Sequence, residues 1–74
     1  MQFDYSKLLG RIKEFGYTQE GVAEAIGISK TTMSLKLNNK AAFTQPEVEK
    51  IRKALGIADE EIGAYFFTQR VQKN

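Results

Sequence analysis

Between Ser29 and Asn38 the chain carries Ser29, Lys30, Thr31, Thr32, Ser34 and Asn38 in a segment whose apolar members are Met33, Leu35 and Leu37. At about 100° per residue in a helix, Met33 and Leu37 share one face. Thr31, Ser34, Leu35 and Asn38 then lie opposite, with Lys30, Thr32 and Lys36 at the edges. Short hydroxyl and amide side chains let a helix approach base edges in a major groove. There Lys donates to guanine acceptors, Ser or Thr bonds either way, and Leu meets a thymine methyl. An ordinary solvated helix face would instead be filled by Glu and Lys. Other chemistries are poorly supplied. The chain has no Cys and no His, which removes Cys/His zinc sites, thiol nucleophiles and the commonest general base. The only acidic cluster, Asp59, Glu60 and Glu61, reads as a helix amino terminus. The expectation is therefore no enzyme, no catalytic residue, no metal, no cofactor and no small-molecule ligand.

The elements that position this face are marked by punctuation. Tyr5, Leu8, Leu9, Ile12 and Phe15 recur at helical spacing and form one apolar stripe ending near Gly16. Thr18 caps a short helix whose inward residues are Val22, Ala23 and Ile26, with Gly27 as its stop. Ser29 caps the next one after a minimal link. Two helices joined so tightly must cross steeply, which is the arrangement of a helix-turn-helix over about residues 18–38. Ala23 is the small residue at the close approach. Asn38 and Asn39 end the second helix. Thr44, Pro46 and Glu47 start another, with Val48, Ile51 and Leu55 inward and Gly56 as its stop. Phe43 reads as a staple or core plug.

Composition bounds the whole. Seventy-four residues with net charge +2 and no linker or repeat predict one domain over residues 1–74, marginal in stability without added support. No apolar run approaches the roughly 18 residues that span a bilayer, so a soluble cytoplasmic protein without membrane contact is expected. No Asp or Glu occurs between Glu24 and Glu47, while Lys30, Lys36 and Lys40 do, so local potential is expected to be positive there. The tail, residues 59–74, predicts a short helix passing into a strand, because Tyr65, Phe67, Gln69 and Val71 alternate with Phe66, Thr68 and Arg70, with a continuous terminal helix as the alternative. A lone strand needs a partner. The same strand of a second copy, paired about a two-fold axis, would supply one, making Tyr65, Phe66, Phe67 and Val71 dimerisation residues of a homodimer.

The run Thr18-Gln19-Glu20-Gly21-Val22-Ala23-Glu24-Ala25-Ile26-Gly27-Ile28-Ser29, followed by Lys30-Thr31-Thr32-Met33-Ser34, resembles the Cro and repressor helix-turn-helix superfamily. The Leu-Asn-Asn-Lys turn and the ending Tyr-Phe-Phe-Thr are similar to small regulators encoded by phages and prophages of Gram-positive bacteria. The resemblance implies a mainly α, lambda-repressor-like bundle of four to five short helices, with a short C-terminal β-strand as an option. It also implies base contacts from Lys30, Thr31, Ser34 and Leu35, and phosphate contacts from Gln19, Thr32, Asn38, Lys40 and Arg11. Two positions depart from the pattern. Gly21 weakens the first motif helix, and Lys36 stands where the superfamily is usually apolar, with Leu37 taking over its packing.

The function expected on these grounds is a Cro-like repressor acting as a dimer on a pseudo-palindromic duplex operator, its recognition helices about 34 Å apart. The alternative is a protein-interaction module, an antitoxin-like or anti-repressor partner, without specific operator binding. An RNA-binding domain fits less well, because clustered exposed aromatics with a basic sheet or a glycine-rich clamp are missing.

Overall fold

Hydroxyl side chains start three of the helices. The computed structural model describes residues 2–70, and in its first helix, α1 (Ser6–Glu14), a carboxylate takes that place: Asp4 accepts from the Ser6 amide at 2.9 Å. In α2 (Gln19–Ile26), the Thr18 hydroxyl accepts from Gly21 N at 2.9 Å. In α3 (Lys30–Leu37), Ser29 Oγ accepts from Thr32 N at 3.0 Å. At α4 (Gln45–Leu55) the cap is reciprocal: Glu47 N donates to Thr44 Oγ1 at 3.3 Å, and Thr44 N donates to Glu47 Oε1 at 2.8 Å. Each cap satisfies amides that the first helical turn leaves without partners. Gly27 and Gly56 end α2 and α4 in the left-handed region, at φ 82° and 62°, where a side chain would be strained. A 3₁₀ turn, Asp59–Glu61, leads into α5 (Ile62–Phe66).

This is the expected mainly α bundle of short helices. α2 packs on α3, α4 and α1, while α5 packs on α1. The core joins Leu8 and Ile12 of α1, Val22, Ala23 and Ile26 of α2, Met33 and Leu37 of α3, and Val48, Ile51 and Leu55 of α4. Tyr5, Ile57, Tyr65 and Phe66 complete it. Among the described residues, no helix is long and apolar enough to cross a membrane. Two members of the expected α1 stripe fall outside the core: Leu9 and Phe15 are exposed. Phe15 lies beneath the Arg11 guanidinium, 4.5 Å from ring centroid to Cζ. Phe43 is the core plug, edge-on to Tyr5 at 5.5 Å and to Phe66 at 5.6 Å.

The tail requires a correction. The helix runs on through Tyr65 and Phe66, and the pairing that follows is a single bridge whose partner is the chain's own amino-terminal segment. Phe3 and Gln69 form an antiparallel bridge, with Asp4 N donating to Thr68 O at 2.7 Å and Arg70 N to Gln2 O at 2.9 Å. Pairing within the chain removes the reason for seeking a second copy's strand. Tyr65 and Phe66 are corrected with it, because both are packed into this chain's core, at 6% and 1% exposure. Phe67 is exposed, and Val71 lies outside the described residues.

Asn39 closes the other edge of the same segment. It adopts φ 62°, which Asn tolerates better than most residues. Its side chain accepts from Phe3 N at 2.8 Å through Oδ1 and donates to Phe3 O at 3.0 Å through Nδ2. Asn39→Ala therefore loses both bonds and gains backbone strain, an expected cost of about 2 kcal/mol. Urea denaturation checks this, with Asn39→Gly expected to recover only the strain. A midpoint unchanged by Asn39→Ala would refute the clamp.

Candidate functional surfaces

The outward face of α3 has the composition expected of it. Lys30, Thr31, Ser34, Leu35 and Asn38 are all exposed, Leu35 at 41%. Several of these side chains are engaged locally. Asn38 folds back on its own helix, its amide donating to Ser34 O at 2.8 Å and Ser34 Oγ at 3.3 Å. Thr32 is half-buried, its hydroxyl accepting from Ser29 Oγ at 2.8 Å. Gln19 is exposed at the start of α2, and Lys40 is exposed just beyond α3.

Arg11 serves another purpose than the expected phosphate contact. Its Nε donates to Leu55 O at 2.9 Å and its Nη2 to Gly56 O at 3.0 Å, while Nη1 pairs with Glu14 at 3.0 Å. A cation on the last carbonyls of α4 complements the negative end of that helix. Two of the guanidinium nitrogens thereby hold α1 against the end of α4, and the third is paired within α1 itself.

The positive potential expected from Lys30, Lys36 and Lys40 is also reduced in three dimensions. Lys36 is buried at 6% exposure, its Nζ donating to Ala42 O at 2.8 Å and pairing with Glu47 Oε1 at 2.8 Å. Instead of standing at the edge of the outer face, it shares the inner side with Met33 and Leu37. Burial pushes the Glu47 carboxyl upward, but hydrogen bonds from Lys36 and Thr44, aided by the Lys36 charge, outweigh it and hold the group below its ordinary 4.5. Lys30 lies 3.6 Å from Glu20 of α2 in an exposed pair. Of the three lysines, only Lys40 has no acidic partner among the described residues. The stretch is acid-free along the chain and not in space.

A second surface was not foreseen. The α3–α4 connection, the amino-terminal segment and the residues after α5 enclose a groove of about 330 Å³ walled by Phe3, Tyr5, Phe43, Phe66 and Phe67, with Asn39 and Lys40 at its polar side. A neighbouring groove of about 420 Å³ shares Phe43 and Phe67 and continues along Val48, Glu49 and Ile62. Phe67 stands between them at 55% exposure, the highest of the exposed large apolar side chains, with its edge toward the Phe3 ring at 5.7 Å. The clustering of Tyr65, Phe66 and Phe67 was visible in the sequence, whereas the contribution of Phe3 needed the fold.

A family model described as a protein of unknown function (DUF739) matches residues 1–69. The solution structure of the modulator of repression (MOR) of the temperate bacteriophage TP901-1 from Lactococcus lactis is similar at 42% identity. The match covers 97% of each chain with a TM-score of 0.78. No curated protein matches.

Proposed function

Because the chain belongs to the DUF739 family and is a homologue of a phage modulator of repression over nearly its whole length, we propose that it regulates phage repression by binding a repressor protein. The likeness to MOR is the observation that carries this reading. It draws the expected kinship with phage regulators away from a Cro-type operator binder and toward the protein-interaction alternative. The surfaces agree with it. A phosphate-binding face draws its affinity from several Lys and Arg contacts, and here Arg11 caps α4, Lys36 is buried and Lys30 sits beside Glu20. A protein interface is centred on aromatic anchors in a desolvated patch, and the Phe43–Phe67 region offers these.

Isothermal titration of the purified chain with the repressor of the same phage or prophage tests the proposal. Saturable binding that persists at moderate salt is expected, together with weak binding to duplex operator that collapses as salt rises. Operator binding as tight as that of a dedicated repressor, with no affinity for the repressor protein, would overturn it.

A second reading rests on the α3 face itself. Exposed Lys30, Thr31, Ser34 and Leu35 on a helix crossing α2 are what a helix-turn-helix presents to a major groove. If DNA contact contributes within a complex with the repressor, Thr31→Ala relaxes base preference and Lys40→Ala weakens all sequences alike, each readable by binding-site selection from random duplexes.

A further inference from the structure

The aromatic groove between the α3–α4 connection and the end of α5 is braced by contacts from several segments. Asn39 fixes the Phe3 backbone, Lys36 holds the Ala42 carbonyl, and the rings of Phe3, Phe43 and Phe66 meet neighbouring aromatics edge-on. A preformed wall loses little entropy when occupied. Its polar groups are unevenly committed. The Asn39 amide is spent on Phe3 and the Ala42 carbonyl on Lys36, while the Lys40 ammonium faces no acid and makes no hydrogen bond among the described residues. The first groove contains no carboxylate. The one in the second, Glu49, is held by Arg52 and Lys53.

We propose that this groove receives a segment of a partner protein that offers a large apolar side chain with a carboxylate beside it. The apolar group lies against Phe67 and Phe43, and the carboxylate meets Lys40. This rests on the reading of the chain as a protein-binding regulator and assigns that activity to a surface separate from the outer face of α3. The charge at the rim sets the choice of partner more than the strength of binding, and the aromatic wall supplies the affinity.

Two measurements separate this inference from the reading beneath it. In the first, the ¹⁵N-labelled full chain is titrated with capped peptides carrying a central Phe-Glu pair, with Phe-Lys and Ala-Glu peptides as controls. Amide shifts are expected at Phe3, Lys40, Phe43 and Phe67, with Phe-Glu favoured over Phe-Lys by roughly threefold. Phe67→Ala is expected to weaken binding by about tenfold or more, and Lys40→Glu to reverse the Glu-over-Lys preference while leaving the fold intact. Shifts centred elsewhere, indifference to the peptide's charge, or groove shifts that arise from protein concentration alone, as for a second copy, would each overturn the proposal. In the second, the repressor replaces the peptides. Loss of binding in Phe67→Ala and Lys40→Glu, with Ser34→Ala unaffected, supports the groove. Full binding by both groove variants refutes it and leaves the regulatory function standing. A wild-type chain that ignores the repressor defeats that function, and the peptide titration then decides the groove alone.

Discussion

Glu47→Ala lowers the stability of the domain by about 3 kcal/mol or more, the cost of leaving a buried ammonium without its counter-charge. The Lys36 side chain is only 8% accessible, and the substitution leaves it the Ala42 carbonyl as its remaining hydrogen-bond partner. The same change opens the capping box of α4, since Glu47 Oε1 also accepts from Thr44 N, adding about 1 kcal/mol. Domains of this size have about 5 kcal/mol in total, so urea denaturation should find the variant partly unfolded before denaturant is added. Removing both charges is different: Lys36→Met with Glu47→Gln keeps a capping acceptor and an apolar stem, and should fall within about 1 kcal/mol of the natural chain. Equal losses in the single and double variants would show that the pair is incidental.

The same pair fixes a pH dependence. The Glu47 carboxyl titrates below 4.5 in the folded chain and near that value when unfolded, so on acidification the unfolded chain takes up the proton first. Its contribution is complete well above pH 4.5, begins to fall as pH passes through that value, and is lost as pH drops through the lower folded-state value. Acid titration followed by circular dichroism should show this loss in the natural chain, with a shallower slope in the doubly neutralised variant.

Phe66→Ala and Phe67→Ala are expected to differ by several kcal/mol although the two residues are adjacent. Phe66 is 1% exposed and edge-on to Phe43 at 5.6 Å, so truncation opens a core cavity at about 4 kcal/mol. Phe67 is 55% exposed and loses mainly its edge contact with Phe3, about 1 kcal/mol or less. Urea midpoints of the two variants decide the matter. Comparable costs would mean that Phe67 is as much a core residue as Phe66.

That contrast marks the limit of what could be read along the chain. Helix starts and stops were legible because their chemistry is local: Thr18, Ser29 and Thr44 act on amides within the next turn, and Gly27 and Gly56 act at their own backbone. The outer face of α3 followed from periodicity for the same reason. What failed was pairing across the fold. Arg11 reads as an exposed cation until the end of α4 arrives beside it, and Lys36 reads as an edge lysine until Glu47 covers it. On the helical wheel Lys36 lies only about 60° from Met33, so its burial had a signal, which its charge obscured. The alternation read from Tyr65 onward set the end of the helix too early, since α5 runs through Phe66, and Gln2, Phe3 and Asp4 are too few to announce themselves as the partner of the bridge at Gln69. The aromatic groove was invisible because three separate segments build it.

The antiparallel bridge between Phe3 and Gln69 has a mechanical consequence. Gln2 faces Arg70 at the outer end of the pairing, so tension applied at the two chain ends loads these hydrogen bonds in sequence, as a zipper opens, and not all at once in shear. The junction should part at low force, ahead of the capped helices. Beyond it the Asn39 clamp holds the Phe3 wall of the groove, so tension between the ends would reach the aromatic groove before it reached the core.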